Sequence, residues 1–170
     1  MSNLHNRSRA RWSRGILLLG ALVLAGAGPG EAAPRLDGPL IGGGRLDPRA
    51  LAGQVVVVDF WASWCEPCRR SFPSLDAMGR RLRARGLVVV GVSVDEELAT
   101  ARRFVDELHP SFANVHDGDH ALAERWSPPA LPSTFVIGRD GRIRAVLSGG
   151  SDREPGAIEA HVLAALGGSR

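Results

Sequence analysis

The chain has 170 residues, 44% of them apolar, which is enough for one domain with a full hydrophobic core and leaves no need for a second. Its formal charge of +3 does not describe the folded part: residues 1–32 carry four arginines and one glutamate, leaving 17 basic and 17 acidic residues in the remainder. A balanced domain gives no basic footprint for nucleic acid, so that class of partner is set aside. All basic residues are arginine; lysine is absent.

The first element is a leader. RSRARWSR is basic and free of acid, and the apolar run from Ile16 to Gly28 follows it, the pattern of a secretory signal peptide over residues 1–32. The run is shorter than the roughly 18 to 20 residues that span a bilayer as a helix, and an uncleaved anchor is the alternative. Gly30 and Ala32 are the small residues a signal peptidase reads, which places cleavage after Ala32 and the protein in the periplasm or outside the cell. Residues 33–53, rich in Gly and Pro, read as an irregular lead-in with room for one extra strand. Residues 54–170 read as the folded domain.

QVVVVDFW, from Gln54 to Trp61, is a continuous β-branched and aromatic run suited to a strand buried on both faces. The chain then turns into a helix over about Glu66 to Arg85, with Phe72, Leu75, Met78 and Leu82 near helical spacing and a kink expected at Pro73. GLVVVGVSVD is a second strand and EELATARRFVDELH a second helix, an order that implies parallel pairing through a right-handed crossover. A loop follows His109-Pro110, then a short helix DHALAERW and the Pro-broken SPPALPS. TFVIGRDGRIRAVLSGG reads as a hairpin around Arg139-Asp140-Gly141, and a last helix runs from about Pro155 to Leu166. The architecture is α/β, a central mixed sheet of four to five strands with helices on both faces.

Cys65 and Cys68, the only two cysteines, stand where the first strand passes into the first helix. A bridge across four residues removes far less chain entropy than the roughly 3 kcal/mol of a 15-residue loop, so a structural staple is a poor explanation. A haem anchor needs C-x-x-C-H, and Arg69 occupies the histidine position. A structural zinc site needs four ligands, and only two thiols are present. His116 and His120, with the thiols, leave open a weak copper site.

At a helix N-terminus the unpaired N–H groups and the macrodipole stabilise a thiolate, which favours Cys65 as the attacking group and Cys68, one turn in, as the resolving one. Trp64 is expected to restrict solvent beside the nucleophile, and Pro67 suits a first helical turn. Glu66 opposes thiolate formation at Cys65, which argues for a reductant rather than a strong oxidant. Asp59 falls within the apolar strand on the face of Trp61, under the start of the helix. It is expected to be a buried acid of raised pKa that exchanges a proton with Cys68; a strand-end or capping acid is the alternative.

These motifs resemble the thioredoxin superfamily, and within it the exported thiol-disulfide oxidoreductases of the TlpA/ResA type. The likeness runs through LDPRALAGQVVVVDFWASWCEPCRRSFP, VVVGVSVDEE and LPSTFVIGRDGRIRAVLSG. It implies a thioredoxin fold, catalysis by Cys65 and Cys68 through a redox disulfide without cofactor or metal, and Pro132 as a cis-proline facing that disulfide. Disulfide-containing proteins are the implied substrates, with apocytochrome c the first to try because WCEPC is similar to cytochrome-maturation reductases. A membrane thiol-relay protein is the implied electron donor. The stretch from Glu97 to Trp126 resembles the insertion that separates TlpA-like proteins from plain thioredoxins. Two positions depart from the pattern: Ser71 where many members have glutamate, and Asp59 where asparagine is common. The rival readings are a thiol peroxidase, which calls for a different cysteine context, and a copper chaperone using Cys65, Cys68 and a histidine.

Overall fold

A computed structural model describes residues 27–149 and 155–168. The leader's residues 1–26, and with them most of its apolar run, lie outside the described residues.

The valine run forms β3 (Val55–Trp61), every residue of which is buried. It is the centre of a five-stranded sheet in the order β5-β4-β3-β6-β7, where β4 is Leu87–Ser93, β5 Ala113–His116, β6 Ser133–Ile137 and β7 Ile143–Ser148. β4 and β5 run parallel to β3, and β6 and β7 are antiparallel to their neighbours. A strand covered on both faces has no solvent side, which is why the run is continuous rather than alternating.

Side-chain alternation along β3 divides the core in two. Val56, Val58 and Phe60 face one way, against Leu122 and Trp126 of α3 (Ala121–Trp126) and Leu36 of the lead-in. Val55 and Val57 face the other way, against Leu75, Met78 and Leu82 of α1 (Glu66–Leu82) and Ile158 and Val162 of α4 (Pro155–Gly167). Further along this second face, Trp61 packs with Phe72 of α1 and with Phe104 of α2 (Leu98–Leu108). Helices therefore cover both faces, with α1, α2 and α4 on one and α3 on the other.

Three expectations are adjusted. The segment after Pro110 is not all loop: Ala113–His116 forms the fifth strand of the sheet. The signal was faint because the strand has four residues, and Asn and His are not strong strand formers. α1 continues through Pro73, its eighth residue, to Leu82; a 3-10 turn then reaches Gly86, whose φ of 91° closes the segment. The lead-in is partly ordered, with a small ribbon of β1 (Gly38–Pro39) and β2 (Arg45–Leu46) and a bridge from Leu40 to Val115 of β5.

Where the leader meets the lead-in, residues 30–33 lie along the free edge of β7. Gly30 N–H donates to the Ile143 carbonyl (2.7 Å), Ile143 N–H to that of Glu31 (2.9 Å) and Ala33 N–H to that of Gly141 (2.9 Å). Cleavage after Ala32 would remove two of these bonds and bare that part of the edge. Among the described residues, no helix is long and apolar enough to cross a membrane.

Candidate active site

β3 delivers the chain to the C-terminal end of the sheet, where residues 62–65 turn it into α1. Cys65 N–H donates to the Ala62 carbonyl at 3.1 Å, closing the turn. Cys65 is the N-cap of α1, its backbone extended (φ −85°, ψ 96°), and its Sγ accepts from the Cys68 N–H at 3.3 Å. A sulfur there meets an otherwise unpaired amide and the positive end of the helix dipole, the environment that favours thiolate over thiol. The two cysteines are joined (S–S 2.06 Å, Cα–Cα 5.2 Å), so this is the oxidised state. Cys65 is 4% exposed and Cys68 fully buried, an asymmetry that fits an attacking and a resolving thiol.

Trp64 is 73% exposed, so most of its ring stands in solvent beside the pair; the burial of Cys65 itself limits water access. Glu66 is exposed and pairs with Arg70 at 3.4 Å, which, with solvent, weakens its field at Cys65. Pro67 occupies an early helical position, where its missing N–H leaves no gap.

Asp59 is fully buried. Pairing of β3 with β6 sets it opposite Thr134, whose Oγ1 donates to Asp59 Oδ1 at 2.6 Å. It lies on the α1 face of β3, between the Val57 cluster and the Trp61 cluster that holds both cysteines. Two residues before Thr134, the Leu131–Pro132 peptide bond is cis. Leu131 packs against the cysteine cluster, and Pro67 and Pro132 share the wall of an open groove of about 610 Å³ between α1 and α4. Ser71, which also lines it, donates from Oγ to the Cys68 carbonyl at 2.9 Å.

Several residues that the sequence reading passed over support this end of the sheet. Trp61 Nε1 donates to Asn114 Oδ1 at 3.1 Å, and Gly91 makes the approach feasible, since a Cβ there would stand 2.0 Å from that oxygen. Asp95, 5% exposed, closes β4 and bonds to Ser63 and Ser93. Thr134 and Asn114 become visible only through strand register. Asp95 had a signal, since an acid directly after an apolar run stands where a strand end meets a loop.

His116 Nε2 lies 2.8 Å from the Asp95 carbonyl, which can only accept, so that nitrogen carries the proton. Among the described residues, no group of three or more His, Cys, Asp or Glu side chains is placed to hold a metal ion.

Residues 29–146 match the AhpC/TSA family. The chain belongs to that family. A protein from Chlorobium tepidum, described as the thiol:disulfide interchange protein DsbE, superposes with a TM-score of 0.78 at 32% identity, covering 83% of this chain and 99% of its own. A second C. tepidum thiol:disulfide interchange protein of the thioredoxin family gives 0.72 at 26% identity, covering 84% and 100%. Among curated relatives, the thiol-disulfide oxidoreductase ResA of Bacillus subtilis is 30% identical over 107 residues, 63% of this chain and 60% of its own length. The chain thus spans somewhat less than two thirds of that relative. Thioredoxin architecture and a Cys-x-x-Cys redox pair are common ground between this family member and the resemblance drawn from its motifs.

Proposed function

We propose that the protein is a thiol-disulfide oxidoreductase that reduces disulfides in other proteins outside the cytoplasm, with apocytochrome c as the first substrate to test. The observation that carries this is the placing of Cys65 Sγ as the N-cap of α1, bonded to a buried Cys68 and sharing a groove-lined end of the sheet with cis-Pro132. Export rests on the basic and apolar composition of residues 1–32. The relatives named as thiol-disulfide oxidoreductases support the reaction class.

In the reduced protein the Cys65 thiolate attacks one sulfur of the substrate disulfide. An S–S bond forms between the proteins and the other substrate sulfur leaves as a thiolate. Cys68 loses its proton to Asp59 and attacks Cys65 Sγ, which breaks the mixed disulfide, frees the second substrate thiolate and forms Cys65–Cys68. Two electrons pass to the substrate. A membrane thiol-relay donor must return two to regenerate the dithiol, and the oxidised state described above is the one it would meet. The groove beside Pro67 and Pro132 is where the substrate chain lies during the attack.

Trapping tests the assignment. In cells expressing full-length Cys68→Ala, covalent adducts should accumulate that dissolve on adding a reductant, and they should vanish in the Cys65→Ser, Cys68→Ala double variant. Adducts of equal abundance in both would show that Cys65 is not the attacking group.

A further inference from the structure

Behind the turn that presents Cys65 lies a second buried carboxylate that the exchange chemistry does not use. Asp95 Oδ2 and Oδ1 accept the Ser63 N–H at 3.0 and 3.2 Å, Oδ1 accepts the Ser63 hydroxyl at 2.7 Å, and Oδ2 accepts the Ser93 hydroxyl at 2.9 Å. Among the described residues it makes no ion pair, so hydrogen bonds alone hold the carboxylate. Its own backbone is fixed as well: the carbonyl accepts from His116, and the amide donates to Ser93 Oγ at 3.2 Å. The His116 ring sits close over Gly118, where a Cβ would come within 2.6 Å of it. On the other side of the seam, Val94 N–H donates to the Trp61 carbonyl at 2.9 Å.

We propose that Asp95 is a positioning residue for thiol-disulfide exchange: by anchoring Ser63, it sets the turn of residues 62–65 so that Cys65 Sγ caps α1. The inference rests on Cys65 being the attacking thiol. Ser63 is two residues from the nucleophile, and the turn closes on Ala62, directly before the anchored residue. Without the carboxylate, the Ser63 N–H and hydroxyl lose their acceptor and the turn can rotate, which takes the sulfur away from the amides of the first helical turn. A carboxylate suits the task because its two oxygens accept three donors from two strand ends and donate nothing in return. Asparagine keeps one accepting oxygen, and alanine keeps none.

The readout is the rate at which iodoacetamide alkylates Cys65 in the reduced protein as a function of pH, with no substrate protein present. In Asp95→Ala the midpoint should move up by about one pH unit, a tenfold loss of rate on the acid side, because the thiolate is less favoured. Asp95→Asn should recover most of that loss, since its amide oxygen can still accept the Ser63 N–H. Midpoints that fall in both variants would mean the carboxylate acts on the thiol through its charge, and the proposal is overturned. Unchanged midpoints with a lowered melting temperature would mean a merely structural role and would overturn it as well. Should Asp95→Ala fail to fold, Ser63→Ala carries the test: it removes only the 2.7 Å bond and should raise the midpoint by less. A wild-type profile in that variant contradicts the proposal. A shifted midpoint in a protein that reduces no disulfides would leave the positioning role standing and defeat the proposed function.

Discussion

The two flanks of the redox pair are built in opposite ways. On the β4–β5 side everything is tied down: Asp95 holds Ser63, Asn114 holds the Trp61 indole, and Phe104 stacks on Trp61 with ring centroids 4.5 Å apart. On the β6–α4 side an open groove of about 610 Å³ runs from Pro67 and Pro132 towards Met78 and Ile158. Under the proposed function, the difference gives the flanks separate tasks. A nucleophile whose reactivity depends on its place at a helix end needs a rigid support, and a protein substrate needs a way in. Among the described residues, the side-chain hydrogen bonds that hold the turn from outside it come from the β4 side.

The largest effect should come from breaking the closed flank. Phe104 is buried against Trp61 and Phe72, the latter edge-on at 5.1 Å, and Arg69 lies over its ring at 4.8 Å. Phe104→Ala should lower the unfolding free energy by about 3–5 kcal/mol in urea titrations, through lost apolar burial and the cavity left behind. A loss under about 1 kcal/mol would show that α2 is a loosely attached insertion and that the flank is less rigid than its contacts imply.

Next in size is Asp59, which sits between the flanks. Asp59→Asn keeps the shape and an acceptor for Thr134 but cannot take the Cys68 proton. Disulfide reduction at pH 7 should slow roughly a hundredfold, the scale of general base catalysis, with little change in redox potential. Rates equal to wild type from pH 6 to 9 would rule out the proton-exchange role. Filling the open flank should have a smaller and more selective effect. Ser74 is exposed on α1 and lines the groove. Ser74→Trp should raise KM for a protein disulfide about tenfold while leaving kcat, and the reduction of a small aromatic disulfide, near wild type. Equal losses on both substrates would mean that the groove is not the path of the protein chain.

How much of this was readable beforehand differs between the flanks for a physical reason. The elements that carry the chemistry announce themselves locally: a valine run for β3, C-x-x-C at the strand-to-helix turn, an Asp-Gly pair at the hairpin, where Gly141 does adopt a φ of 75°. The cis state of Pro132 followed from the resemblance alone, since nothing local in LPST marks the isomer. Much of the closed flank, by contrast, is assembled from contacts across long stretches of sequence. Asn114 meets Trp61 only because β5 adds to the edge of β4, and that strand has four residues with no clear period. Ser63 and Asp95 are 32 residues apart and meet because β3 and β4 end in register, Trp61 beside Ser93. The exposure of Trp64 had no local signal, because position beside a nucleophile says nothing about which way a ring turns.

Asp117 offers the smallest test of the closed flank, and its sign can be worked out. It follows β5, its N–H donates to the Ser93 carbonyl at 2.8 Å, and its carboxylate accepts the N–H groups of Leu122 and Ala123 at 2.8 Å each, capping α3. Burial pushes its carboxyl above the usual carboxylate range, and the two amide bonds only partly offset this. The folded protein therefore holds this proton to a higher pH than the unfolded chain does. The contribution of Asp117 to stability is complete below the unfolded value, near 3.9, and declines as pH rises through the raised folded value. Asp117→Asn cannot titrate, and the other carboxyl groups are common to both proteins. The unfolding free energy of wild type minus that of Asp117→Asn should consequently fall between pH 3.5 and pH 7 in urea titrations. A difference that grows over that range would mean the α3 amides outweigh burial, and that the cap at the end of β5 favours the ionised carboxylate.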